Sequence, residues 1–206
     1  MLADAVDKNN NIIGTFDLTY IHKNLLYHRS ICILVINKYD NSVILSKRED
    51  EKKIFPRLWD VTISTHVRSG ETYNITALSE IALRLNIKNF VSCETVSIPA
   101  KIENGFEFCE LYYYYCNDFS NIRLTKNYEI IPIKELIDRM YNFEHLHTLN
   151  LIESVYYKLL DDIKFRELKN TIKEWFKNNF KFPLCELLCI PFPKIIIKDN
   201  IGYRNA

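Results

Sequence analysis

The sequence predicts an α+β fold, a mixed β-sheet with helices on it and a helical extension at the C-terminus. Three observations carry this. Two β-branched runs flank the turn "KYDN" in "RSICILVINKYDNSVILSKR", which reads as a hairpin. Apolar residues recur at spacings of three and four between Thr72 and Leu85, which is helix periodicity. The order along the chain is strands, one helix, strands, then helices, the pattern of a mixed sheet rather than of repeated βαβ units.

Taken in order, residues 3–7 read as a short strand and "NNNIIG" as a turn into a second one. The hairpin strands are expected at 31–37 and 43–47. "KKIFPRLWDVTIS" is expected to run as a loop through Pro56 into a strand at about Trp59–Ser64. In the helix that follows, Ile75, Leu78, Ile81, Ala82 and Leu85 form the apolar face. Strand-like runs come next at about 90–98, 106–116 and 128–131, with Gly105 turning the chain between the first two. "PIKELIDRMY" is a short helix with Pro132 in its first turn. Leu149 to about Phe180 is amphipathic, with Leu151, Ile152, Val155, Leu159, Ile163, Leu168, Ile172 and Trp175 on its apolar side. We therefore expect one unit over 1–148 and helices plus a tail over 149–206 packed on it.

Bulk composition narrows the function. The formal net charge is +1, from 27 basic and 26 acidic side chains, so no polyanionic partner is implied by charge alone. Four glycines in 206 residues leave little for a glycine-rich phosphate cradle. The six cysteines form no CxxC pair and several sit in apolar runs, which reads as reduced buried thiols in an intracellular protein. The N-terminus lacks the basic and apolar regions of a secretory signal, and no apolar run has the length of a membrane span.

Several motifs then fall in order within Asp7–Asn86. They are "VDKNNNIIG", "HKNLLYHRS" with His22, His28 and Arg29, "KREDEKKIFPRLWD" with Arg48, Lys52, Pro56, Trp59 and Asp60, and "HVRSGE". Together they resemble the Nudix hydrolase superfamily, in the branch similar to type I isopentenyl-diphosphate isomerase. The resemblance covers about the first 90 residues and implies a mixed sheet sandwiched between helices.

The family's box reads G-x5-E-x7-R-E-U-x-E-E-x-G-U, where U is aliphatic. On this chain Thr65 stands at the opening glycine, Glu71 at the first glutamate and Ser79-Glu80 at the R-E pair. Ile81 is the first U, Leu83-Arg84 replace the E-E pair, Asn86 replaces the second glycine, and Ile87 is the last U. In active members the box glutamates hold Mg²⁺ against a diphosphate, which demands hard oxygen ligands. Positions 80, 83 and 84 are spaced i, i+3, i+4 and are expected on one helix face. Three carboxylates there would carry −3, whereas Glu80, Leu83 and Arg84 sum to 0. The box is thus degenerate, with Glu71 and Glu80 as vestigial catalytic residues and Arg84 expected to pair with Glu80.

The resemblance also nominates other residues. His22, His28 and His66 match histidines that, with glutamates, hold the isomerases' metal; Glu107 matches one of those glutamates and Gly105 stands at its partner. The isomerases' catalytic cysteine corresponds to Ser64. The same histidines recur in hydrolases of this branch, so a structural role stands beside the metal-binding one. Arg48 and Lys52 match diphosphate-contacting residues and, with Arg84, are expected to form a metal-free anion pocket, or else an ordinary solvated loop. The expected function is a binding or scaffolding module without resident cofactor, as some Nudix relatives are in ribosomes and other large assemblies. Its partner would be a protein or ribonucleoprotein, or a small diphosphate, and not a membrane. The alternatives are an Mg²⁺- or Mn²⁺-dependent diphosphate hydrolase recruiting Glu71, Glu80, Glu107 and Glu110, and then an isomerase using Ser64.

Overall fold

The central strand is "HRSICILVIN", β3 (His28–Asn37), and its position follows from its composition. A continuous β-branched run cannot leave a face in water, and nine of its ten residues are buried. In the computed structural model, which describes residues 1–51, 56–87, 92–101, 104–136, 195–198 and 201–204, the other long elements assemble around this strand.

On one side β3 pairs in parallel with β8 (Glu107–Cys116) along its whole length, from His28 opposite Glu107 to Asn37 opposite Cys116. On the other side it meets β1 (Leu2–Val6), β6 (Ile63–His66) and β4 (Ser42–Lys47), all antiparallel. β2 (Ile12–Asp17) extends the sheet beyond β1, β5 (Trp59–Asp60) and β9 (Tyr128–Pro132) extend it beyond β4, and β7 (Ser92–Ile98) lies outside β8. The expected mixed sheet is therefore present with nine strands. A separate hairpin, β10 (Ile195–Lys198) with β11 (Ile201–Arg204), lies in the tail. The expected helix over Leu149–Phe180, most of "PIKELIDRMY" and the boundary at 148 lie outside the described residues. No helix among the described residues is long and apolar enough to cross a membrane.

Helix α2 (Tyr73–Leu85) occupies the predicted segment, and both ends are specified locally. Thr72 caps it by accepting from Ile75 N at 3.2 Å. Asn86, standing where the box has glycine, closes it in the left-handed region at φ 57°. Its core face is Ala77, Ile81 and Leu85, packed on Ile31, Ile33, Val35, Tyr112 and Tyr114 of β3 and β8. The apolar face expected from periodicity is shifted: Ile75 and Leu78 are exposed, and the polar Thr76 and Glu80 are buried instead. Hydrophobicity alone misplaced the face because these two polar groups have partners inside.

Side-chain alternation fixes the rest of the geometry. Ile31, Ile33 and Val35 look toward α2, so His28, Ser30 and Cys32 look to the opposite face. By the same register Ser64 and His66 of β6, and Glu107 and Cys109 of β8, share that opposite face. The predicted strand Trp59–Ser64 divides into β5 and β6, because Thr62 turns its hydroxyl to Ile44 O and receives Val35 N.

No periodicity in the sequence predicts a helix at Leu18–Lys23, yet these residues form a short one, α1. Asp17 caps it by accepting from Thr19 N at 2.8 Å, and Ile21 anchors it against Ala3 and Ala5.

Candidate functional site: a histidine–glutamate cluster opposite a neutralised box

Two sets of chemically equipped side chains emerge, one on each face of the sheet. On the face away from α2, four residues from four elements converge. His22 comes from α1, His28 from β3, His66 from β6 and Glu107 from β8. One ligand atom from each lies within 4.8 Å of all the others. His22 Nε2 is 3.2 Å from His28 Nε2 and 3.1 Å from His66 Nε2. Glu107 Oε1 is 3.3 Å from His66 Nε2 and 3.7 Å from His28 Nε2.

The chemistry of this donor set fits a divalent transition ion. Imidazole nitrogen with one carboxylate suits zinc or manganese. Ligands bonded at about 2.0–2.1 Å to a tetrahedral ion lie about 3.3–3.4 Å apart; four of the six separations bracket that spacing, and all six are within 4.8 Å. One tautomer is fixed as well. The Leu26 carbonyl can only accept, so the fully buried His28 donates Nδ1–H to it at 2.8 Å, leaving a neutral ring's Nε2 lone pair for the cluster.

Local sequence explains the placement of Glu107. Gly105 and Phe106 both take left-handed φ, +71° and 63°. The Asn104 carboxamide stabilises that turn, accepting from Glu107 N at 3.2 Å and donating to Glu107 O at 2.8 Å. Gly105 thus supplies a turn where a second glutamate was sought.

Electrostatics follow the same geometry. Although His22 as a residue is exposed, its ring packs into the cluster; the loss of water around it, then the neighbouring His66 and His28, disfavour a cation there and pull its pKa down to about 4. Burial alone would raise the Glu107 carboxyl, but contacts with His28 and His66 outweigh it and hold it well below the usual range. The unfolded chain protonates His22 near the ordinary histidine value of 6.5 and the folded chain only near 4, so between these the unfolded state binds more protons. Metal-free protein is therefore expected to lose stability as pH falls from about 6.5 to 4, with Glu107 adding a further loss below its unfolded value. Thermal melts with a chelator at several pH values check this, and removing His22 should flatten the upper part of the curve.

The other face carries the box. Glu80 is only 3% exposed, and both of its oxygens are gripped. Arg84 Nε donates to Glu80 Oε2 at 2.7 Å, and Arg68 Nη2 donates to Glu80 Oε1. Arg68 Nη1 also reaches Glu71 Oε1 at 3.4 Å, while Glu71 Oε2 accepts from Thr76 Oγ1 at 2.6 Å. Two carboxylates and two guanidinium groups sum to zero charge. The expected Arg84–Glu80 pair is present.

Two expectations change. Leu83 does not join Glu80 and Arg84; it is 73% exposed. On a helix i+3 and i+4 fall on opposite sides of residue i, and only the i+4 side faces the groove. Glu107 cannot combine with Glu71 and Glu80, because it lies on the far face of the sheet; Glu110 shares the α2 face by register and accepts from Ser97 Oγ at 2.6 Å. Of the expected anion pocket, Arg48 Nη1 is 2.8 Å from the buried Asp60 and Arg84 donates to Glu80. Lys52, its third member, lies outside the described residues.

Two further residues shape the site without a sequence motif that predicts them. Arg68 supplies from the loop the arginine that Ser79 fails to supply from the helix; its signal was a cation three residues before Glu71 in "HVRSGE". Asp4 accepts from Ser69 Oγ at 2.6 Å, Thr15 Oγ1 at 2.7 Å and Gly70 N at 3.1 Å, pinning the loop between His66 and α2. Nothing in its local sequence announced that.

Comparison with known proteins agrees on the class. The chain has the Nudix fold, and its recognisable relatives are Nudix hydrolases. The fold is similar to the crystal structure of DR0079 from Deinococcus radiodurans, with a TM-score of 0.61, 20% identity, and coverage of 75% of this chain and 97% of that one. In sequence it is 31% identical over 87 residues to an uncharacterized Nudix hydrolase from Nostoc sp., covering 42% of this chain and 51% of that protein. It is 26% identical over 68 residues to Nudix hydrolase 3 of Arabidopsis thaliana, covering 33% of this chain and 9% of that protein. The chain thus spans about half of one curated relative and a small part of the other. No family model matches the chain.

Proposed function

We propose that this is a Nudix-fold protein that has given up diphosphate hydrolysis at its box and works as a binding module, with a divalent transition metal at His22, His28, His66 and Glu107. The observation that carries the first half is the occupancy of Glu80. A carboxylate paired on both oxygens with guanidinium groups must give up those pairs to ligate Mg²⁺, and the two guanidinium charges cancel the carboxylate charge that would attract a cation. The four converging ligand atoms support the second half. An ion held there would supply Lewis-acid charge. The chain's own contribution is a fixed His28 tautomer, a carboxylate kept ionised, and α1 tied to the sheet through His22.

A second reading, an isomerase-like enzyme working at the histidine cluster, is favoured by one contact. The Cys32 thiol lies 3.8 Å from Ser64 Oγ, one strand from where relatives are expected to keep it.

The test is turnover of nucleoside and isoprenoid diphosphates with Mg²⁺ or Mn²⁺. Background rates are expected throughout. Robust hydrolysis abolished by Glu80→Gln would overturn the proposal, and turnover that survives Glu80→Gln but vanishes in His28→Ala would establish the second reading.

A further inference from the structure

Resting on that metal-binding reading, we infer that the histidine cluster is an open site that takes one anionic oxygen ligand, and that the Ser30 hydroxyl is the residue that receives it. Ser30 is 3% exposed, and among the described residues its Oγ is the buried side-chain polar atom left without a hydrogen-bond partner. Buried hydroxyls without partners are rare, because such a group loses water and gains nothing in return.

Its place in the sheet gives the orphan a meaning. Ser30 is directly opposite His66 in the β3–β6 ladder and Cys109 in the β3–β8 ladder. It is two residues beyond His28, so it shares that residue's face. Directly paired side chains have Cβ atoms about 4.5–5.5 Å apart. The hydroxyl therefore lies in the floor beside two of the four ligands, with nothing else assigned to it.

Charge and access select the ligand class. A divalent ion with three neutral imidazoles and one carboxylate carries a formal +1, which favours an anion over a neutral or cationic ligand. The serine contributes one O–H, and a hydrogen bond to an anionic oxygen is the stronger kind. Entry is from the α1 side, where His22 is exposed, while His28 and Ser30 are buried. With the floor this buried, only an end oxygen can reach the hydroxyl, so the class is a small oxyanion or the terminal phosphate or carboxylate of something larger.

The experiment uses the full chain loaded with Co²⁺, wild type against Ser30→Ala and Ser30→Thr, with inorganic phosphate as probe and the visible cobalt spectrum as readout. Phosphate should perturb the wild-type spectrum, bind Ser30→Ala about tenfold more weakly, and regain most of that in Ser30→Thr. Co²⁺ affinity itself should stay within about twofold across the three. A wild-type spectrum indifferent to phosphate would mean a closed structural site and overturn the inference. Equal phosphate affinity in wild type and Ser30→Ala would overturn the role of Ser30. Failure of the wild type to bind Co²⁺ at all would instead bring down the metal reading beneath both.

Discussion

Replacing His28 with alanine is expected to lower Zn²⁺ or Mn²⁺ affinity by at least about 100-fold, more than the loss of an outer-shell partner usually does. His28 is fully buried, its tautomer is set by the Leu26 carbonyl, and its Nε2 is the ligand atom with least freedom to move. His22 is exposed on a short helix, so His22→Ala should cost less and leave a weaker three-ligand site. Calorimetric titration separates the two. Equal affinities in wild type and His28→Ala would show that the cluster is a hydrogen-bonded structural feature and nothing more.

The second large effect concerns the box. Removing both guanidinium groups, Arg68→Ala with Arg84→Ala, is expected to destabilise the fold by about 3 kcal/mol. That is the lower end for stranding a buried charge, because the arginine side chains are themselves 42% exposed. Glu80 would remain inside the α2 face with no partner on either oxygen. Adding Glu80→Met to the double variant should recover most of the loss, since an apolar residue of similar volume needs no partner. Denaturant melts measure both steps. A double variant as stable as the wild type would show that Glu80 is reached by solvent and that the ion pairs are ornamental.

The fold was legible because its elements are locally consistent. The β3 run, the turn before β4 and the Thr72-to-Asn86 helix each carry their own signal, and register then follows from burial. The four residues of the cluster were legible only through resemblance. Periodicity says nothing about residues 22, 28, 66 and 107 meeting, because that requires α1 to dock, β3 and β8 to pair in parallel, and two left-handed residues to aim Glu107. Arg68 and Asp4 were missed for a related reason. Their partners are 12 and 65 residues away, at Glu80 and Ser69, and a loop cation or a strand carboxylate has no local pattern that announces a tertiary bond. The helix face was misjudged because buried Thr76 and Glu80 are satisfied by long-range partners that hydrophobic spacing cannot register.

Crystals soaked in Mn²⁺ and read by anomalous scattering test the central claim most directly. The account predicts one strong peak among the Nε2 atoms of His22, His28 and His66 and the carboxylate of Glu107, with Arg68 and Arg84 still on Glu80. A peak between Glu71 and Glu80, with the two arginines swung away and the histidines bare, would contradict it.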